Sequence, residues 1–153
     1  MGLKTNMKRL KLVNNIEMFI PTFHRESDSY QKLRWQDIHV GDIVHLSNNE
    51  TVPADILLLK SSEPDGCAWI DSCDLDGETN LKRRQVIRGF ANKQSSFLPN
   101  KFVSKLEIDS PTTKIYRFHG VIVHPNGERV PISTENLLLR ESRIKVSAAP
   151  CSQ

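Results

Sequence analysis

Apolar residues in this chain come in runs no longer than the four of Ile56-Leu57-Leu58-Leu59. That brevity constrains the fold more than any other feature. A membrane-spanning helix needs roughly 20 apolar residues, so no segment here reads as a span. Runs this short, rich in β-branched residues and punctuated by turn formers, point to short strands. Asp42–Ser47 is brief and β-branched, and Asn48-Asn49 signals a turn after it. Asp55–Lys60 is strand-like and ends before Pro64-Asp65-Gly66. Cys67–Cys73 alternates, with Cys67, Trp69 and Asp71 on one face and Ala68, Ile70 and Ser72 on the other. Ile115–His124 is the longest strand candidate. Pro125-Asn126-Gly127 turns it into Arg129–Ile132, and Glu135–Arg140 adds another short run. Arg88–Ser110 is polar and irregular, with one helical turn expected at Lys101–Leu106 and a short strand at Leu106–Ile108. The expected fold is mainly β, a sandwich, jelly roll or barrel-like domain with short helical segments.

The 153 residues fit one domain. The strand pattern begins near Trp35 and continues to Lys145, which divides the chain into an N-terminal linker or basic segment (1–34), the β domain (35–145) and a tail (146–153). In the first part Leu3, Met7 and Leu10 share a helical face beside lysines. Such a helix would gain about 1 kcal/mol per charge near an anionic membrane leaflet; a solvated terminus is the simpler expectation. The basic start (Lys4, Lys8, Arg9, Lys11) has no continuous apolar core behind it, so it does not read as a secretory signal. The net charge is only +3, and no basic stripe interleaves with aromatics, which argues against a nucleic-acid binder. Three cysteines are too few for a disulfide scaffold and suit a reducing compartment.

The chemistry is concentrated in Asp71-Ser72-Cys73-Asp74-Leu75-Asp76-Gly77-Glu78-Thr79-Asn80-Leu81-Lys82, where four acidic residues fall within eight positions. Gly77 lets the backbone turn tightly and approach a partner closely; Glu78 is expected at the tip. Ser72, Asp74, Asp76 and Gly77 partly match a calcium loop, but Arg83 stands where that loop requires a glutamate. A paired-carboxylate hydrolase would need further cleft motifs, which are lacking. A solvated acidic turn fits the composition alone. Zinc is disfavoured: His119 and His124 are five apart and would face opposite ways on a strand, and Cys67 and Cys73 lack ligand spacing.

Asp76-Gly77-Glu78-Thr79-Asn80-Leu81-Lys82 resembles the signature loop of type IV P-type ATPases, the phospholipid flippases, where related cation pumps carry Thr-Gly-Glu-Ser. Trp35–Val44 resembles the entry strand of the actuator domain in that family, and Pro53-Ala54-Asp55 its Pro-Ala-Asp motif. Tyr116-Arg117-Phe118-His119-Gly120 and Asn136-Leu137-Leu138-Leu139-Arg140 also match, in the same order, with the class V branch favoured. The resemblance covers about Trp35 to Lys145. It implies a distorted jelly-roll actuator domain on the cytoplasmic side of a membrane. There Glu78 would orient and activate water against an aspartyl phosphate, Gly77 would allow close approach, and Asp76, Thr79 and Asn80 would shape the loop. The chain carries no Asp-Lys-Thr-Gly phosphorylation motif, so it is expected to bind no cofactor and hydrolyse no ATP alone; the parent pump would use ATP and Mg2+. Its implied partners are the phosphorylation, nucleotide-binding and transmembrane parts of that pump, an accessory membrane subunit, and phospholipid as cargo. The alternative is a stand-alone binding or regulatory β module derived from such a pump, without catalysis.

Overall fold

The computed structural model describes residues 2–6, 18–90, 98–110 and 112–145, the first of these as backbone only. Their strands are β1 (Gly2–Asn6), β2 (Phe19–His24), β3 (Ser29–Arg34), β4 (Ile43–Val44), β5 (Asp55–Leu58), β6 (Cys67–Asp71), β7 (Lys82–Gln85), β8 (Lys105–Ile108), β9 (His119–Val123), β10 (Arg129–Ser133), β11 (Leu137–Leu138) and β12 (Arg143–Lys145). One four-residue helix, α1 (Cys73–Asp76), follows β6. A six-stranded sheet runs β11-β5-β1-β4-β2-β3; two three-stranded sheets run β10-β9-β8 and β12-β6-β7. Neighbours pair antiparallel throughout. The chain is therefore a mainly β assembly of small packed sheets, as the short runs imply.

Sequence pattern and burial agree best where strands alternate. In β10, Val130 and Ile132 are buried while Arg129 and Pro131 face out. The run Ile56–Leu59 is buried on consecutive positions, because β5 lies inside the large sheet and is covered on both faces. These residues join Ile38, Val52, Ile70, Ile87, Ile122 and Leu138 in one core. Each such side chain contributes about 1.5–3 kcal/mol when fully buried.

Three differences from the sequence reading have physical causes. Residues Phe19–Arg34, expected in a linker, form the β2–β3 hairpin, whose Ile20 and Thr22 are buried. A proline at 21 and a buried polar residue at 22 interrupt the apolar alternation that marks a strand. The second difference lies before β9. Ile115 and Tyr116 belong to a turn closed by the Arg117 N–H on the Lys114 carbonyl (3.1 Å), so β9 starts only at His119. The third is the helical turn expected at Lys101–Leu106. It occurs earlier, as a 3-10 turn at Pro99–Lys101, and the chain is extended from Lys105. Of the helical face proposed at Leu3, Met7 and Leu10, Leu3 lies on the extended strand β1; the other two positions, and the tail 146–153, fall outside the described residues.

Candidate functional site: the Asp76–Glu78 turn

Strand β6 delivers the chain to the site, and buried Ser72 ends it. The Asp71 carboxylate accepts the Cys73 N–H (3.0 Å), and the Ser72 carbonyl accepts the Leu75 and Asp76 N–H groups (2.8 and 3.1 Å). One turn of helix, α1, results. It stops because Gly77 adopts the left-handed conformation (φ 72°, ψ 3°), with its N–H on the Cys73 carbonyl. A Cβ at Gly77 would have no atom within 4 Å, so the backbone at the apex faces open space.

Asp76 is the structural centre of the turn. Its Oδ1 accepts the Glu78 N–H at 3.0 Å, and the buried Ser72 hydroxyl lies 3.2 Å from both carboxylate oxygens. Its Oδ2 meets the Lys82 ammonium and the Tyr116 hydroxyl. The bond from Lys82, reinforced by the Glu78 N–H, holds the Asp76 carboxyl below its ordinary pKa. For Lys82, burial opposes the charge, yet hydrogen bonds to Asp76 and Glu78 win and raise its pKa. Asp76 is thus engaged by the fold, with a side chain only 12% exposed.

Glu78 is placed differently. Its side chain is 63% exposed, and Lys82 Nζ lies 3.2 Å from its Oε2. Thr79 and Asn80 follow on the exposed surface. The structure brings Asp76, Gly77 and Glu78 together at one apex, with Thr79 and Asn80 on the descending limb into β7. Sequence reasoning gave Lys82 and Tyr116 places in resembling segments but no individual role, and weighed Ser72 only as a calcium-loop position. Lys82 had a usable signal, standing four residues after Glu78. Tyr116 stood in one of the resembling segments, but its approach to Lys82 comes only from tertiary packing.

The other candidates serve the scaffold. Asp55 Oδ1 accepts the Arg140 N–H (3.0 Å), which ties the Pro-Ala-Asp segment to the chain just after β11. Arg84 is buried and donates to the Leu137 carbonyl (2.8 Å), and Asn136 donates to the Gln85 carbonyl (2.9 Å). His124 packs against Phe90 and bonds Ser104 (2.8 Å). Among the described residues no three His, Cys, Asp or Glu side chains are grouped to hold a metal ion. Nor, among them, is any helix long and apolar enough to cross a membrane.

A family model of the P-type ATPase actuator domain matches residues 20–97. The chain belongs to that family. Among similar proteins, human phospholipid-transporting ATPase VA is 52% identical over 77% of this chain and 8% of its own length. Human phospholipid-transporting ATPase VD is 45% identical over 91% of this chain and 10% of its own length. The yeast (Saccharomyces cerevisiae) phospholipid-transporting ATPase DRS2 is 32% identical over 82% of this chain and 9% of its own. The actuator chain therefore spans about a tenth of the length of these relatives. The family match begins at position 20, one residue into the β2 strand whose Ile20 enters the core.

Proposed function

We propose that this actuator domain serves a phospholipid-translocating P-type ATPase, and that its Asp76-Gly77-Glu78-Thr79 turn promotes hydrolysis of the aspartyl-phosphate intermediate. The observation that carries the reading is the exposed Glu78 carboxylate on an apex with open space around Gly77. A base must come within hydrogen-bond reach of the proton it takes. A carboxylate exposed at the tip of an open turn can enter a phosphorylated site on another domain, whereas one enclosed like Asp76 cannot.

In the step proposed, water attacks phosphorus in line while Glu78 accepts its proton. The bond from phosphorus to the aspartate oxygen breaks, the aspartate carboxylate is regenerated, and inorganic phosphate leaves. ATP and Mg2+ would act on the other parts of the pump. The residues described here do not form a metal site, and no step assigned to this chain passes through one. Coupling to lipid movement would come from rigid-body rotation of the compact domain through its connections to membrane helices. The working location is then the cytoplasmic side of the membrane. The partners are the phosphorylation, nucleotide-binding and transmembrane domains and an accessory membrane subunit.

The test is Glu78→Gln in the complete pump. The amide keeps the shape of the carboxylate but cannot take the proton, so phosphoenzyme decay slows by about 10²–10⁴-fold. Acid-quenched samples then accumulate phosphorylated protein. Decay at the wild-type rate rejects the catalytic assignment.

A further inference from the structure

An exposed glutamate on a tight turn samples several rotamers, and a base that wanders is a poor base. The structure holds Glu78 by an arrangement drawn from three separate parts of the chain. Lys82, at the start of β7, points its ammonium back under the apex. Three oxygens surround that ammonium: Asp76 Oδ2, Glu78 Oε2 at 3.2 Å and the Tyr116 hydroxyl at 2.6 Å. A lysine has three N–H donors, so each finds one acceptor. The Tyr116 oxygen accepts from Lys82, and its own proton is given to Asp76 Oδ2. The centre of the Tyr116 ring lies 4.4 Å from Nζ, so the ammonium sits at the hydroxyl edge of the ring. The Tyr116 backbone is in turn anchored, because its carbonyl accepts the Thr134 hydroxyl at 3.0 Å.

We propose that Lys82 and Tyr116 are positioning residues for Glu78, with Tyr116 seating the Lys82 ammonium so that it fixes both ends of the Gly77–Glu78 apex. One end is the backbone, where Asp76, gripped by Lys82 and Tyr116, accepts the Glu78 N–H. The other is the side chain, where Lys82 engages Oε2 and leaves the second carboxylate oxygen to act on water. The inference rests on the reading of Glu78 as the base. It adds that the β8–β9 turn carrying Tyr116 is part of the dephosphorylation machinery.

The experiment uses the complete pump with Lys82→Met, Tyr116→Phe, Glu78→Gln and the two double variants with Glu78→Gln. Phosphoenzyme formation from labelled ATP and its decay after a chase are measured separately. Lys82→Met is expected to slow decay by about 10- to 100-fold, and Tyr116→Phe, which keeps the ring and loses only the hydroxyl, by a smaller factor. Formation should be unchanged in both. Neither double variant should decay more slowly than Glu78→Gln alone, because a positioning residue has nothing to position once the base is gone. A merely structural role would instead slow formation as well, or add to the Glu78→Gln defect; either outcome overturns the proposal. Wild-type decay in one of the single variants, with Glu78→Gln still trapped, overturns the assignment of that residue and leaves the role of Glu78 standing. Wild-type decay in Glu78→Gln overturns the underlying reading instead. If Lys82→Met does not fold, Tyr116→Phe decides by the same criteria.

Discussion

At the scale of single residues, Gly77 and Asp76 divide the work of making the turn. Gly77 supplies a backbone conformation, at φ 72°, that other residues adopt at a cost. There is room for a methyl group, so Gly77→Ala should destabilise by about 1–2 kcal/mol through backbone strain alone. Gly77→Asn should cost less, because asparagine tolerates the left-handed region. Urea unfolding of the three proteins checks this; equal midpoints would show that the turn relaxes freely. Asp76 supplies the acceptor. Its carboxyl is held below the ordinary value by Lys82. The sign follows from linkage: a depressed folded value means stabilisation that is present above the unfolded pKa and lost as pH falls through the folded one. The Glu78 amide, bonded to Asp76 Oδ1, should therefore report by NMR a titration midpoint below that of a free aspartate, about 3.9. A midpoint at or above that value would mean that Lys82 does not grip Asp76 in solution.

Among the elements, β9 is the one whose details matter most. Its register brings Gly120 opposite Ile108 of β8 and Ile132 of β10. A Cβ on Gly120 would sit 2.8 Å from the Glu107 carbonyl oxygen and 2.9 Å from the Ile108 Cγ2. Backbone cannot retreat as a flexible side chain does, so Gly120→Ala should cost about 1–3 kcal/mol by overpacking. This is a different mechanism from Gly77→Ala, and asparagine at 120 should be worse than alanine rather than better. Thermal unfolding of both variants distinguishes the two. The four residues before β9 also show why strand propensity is an incomplete guide. Ile115, Tyr116 and Phe118 look like strand residues, yet Ile115 and Tyr116 form a turn. The turn places the Tyr116 hydroxyl 2.6 Å from Lys82 Nζ.

Over the whole molecule, β2 and β3 join the large sheet although their hydrophobic pattern is weak. β2 lies between β4 and β3, the Pro21 carbonyl accepts the His45 N–H (2.9 Å), and the Met18 carbonyl accepts the Trp35 N–H (2.9 Å). Hydrogen exchange should show protection of the His45 and Trp35 amides together with those of β2. Ile20→Ala should destabilise the entire unit by about 2–5 kcal/mol, as a core truncation does. Rapid exchange throughout 19–34 with an undiminished core would instead place the start of the cooperative unit near Trp35.

Local features follow from neighbouring residues alone. Short apolar runs implied short strands, and Asn126-Gly127 implied a tight turn before β10. Asp76-Gly77-Glu78 implied an acidic apex, with the glycine needed for the bend. Each of these depends on residues within a few positions of one another, where steric and hydrogen-bonding preferences act directly. Tertiary structure decided the rest. It moved Phe19–Arg34 into the sheet, where burial of Ile20 outweighs the weak strand pattern around Pro21. It separated the two carboxylates of the loop, sinking Asp76 among Ser72, Lys82 and Tyr116 while leaving Glu78 in solvent. It also brought Tyr116 across 34 residues to Lys82. Such a contact is chosen by the packing of two sheets, and sequence distance carries no trace of it.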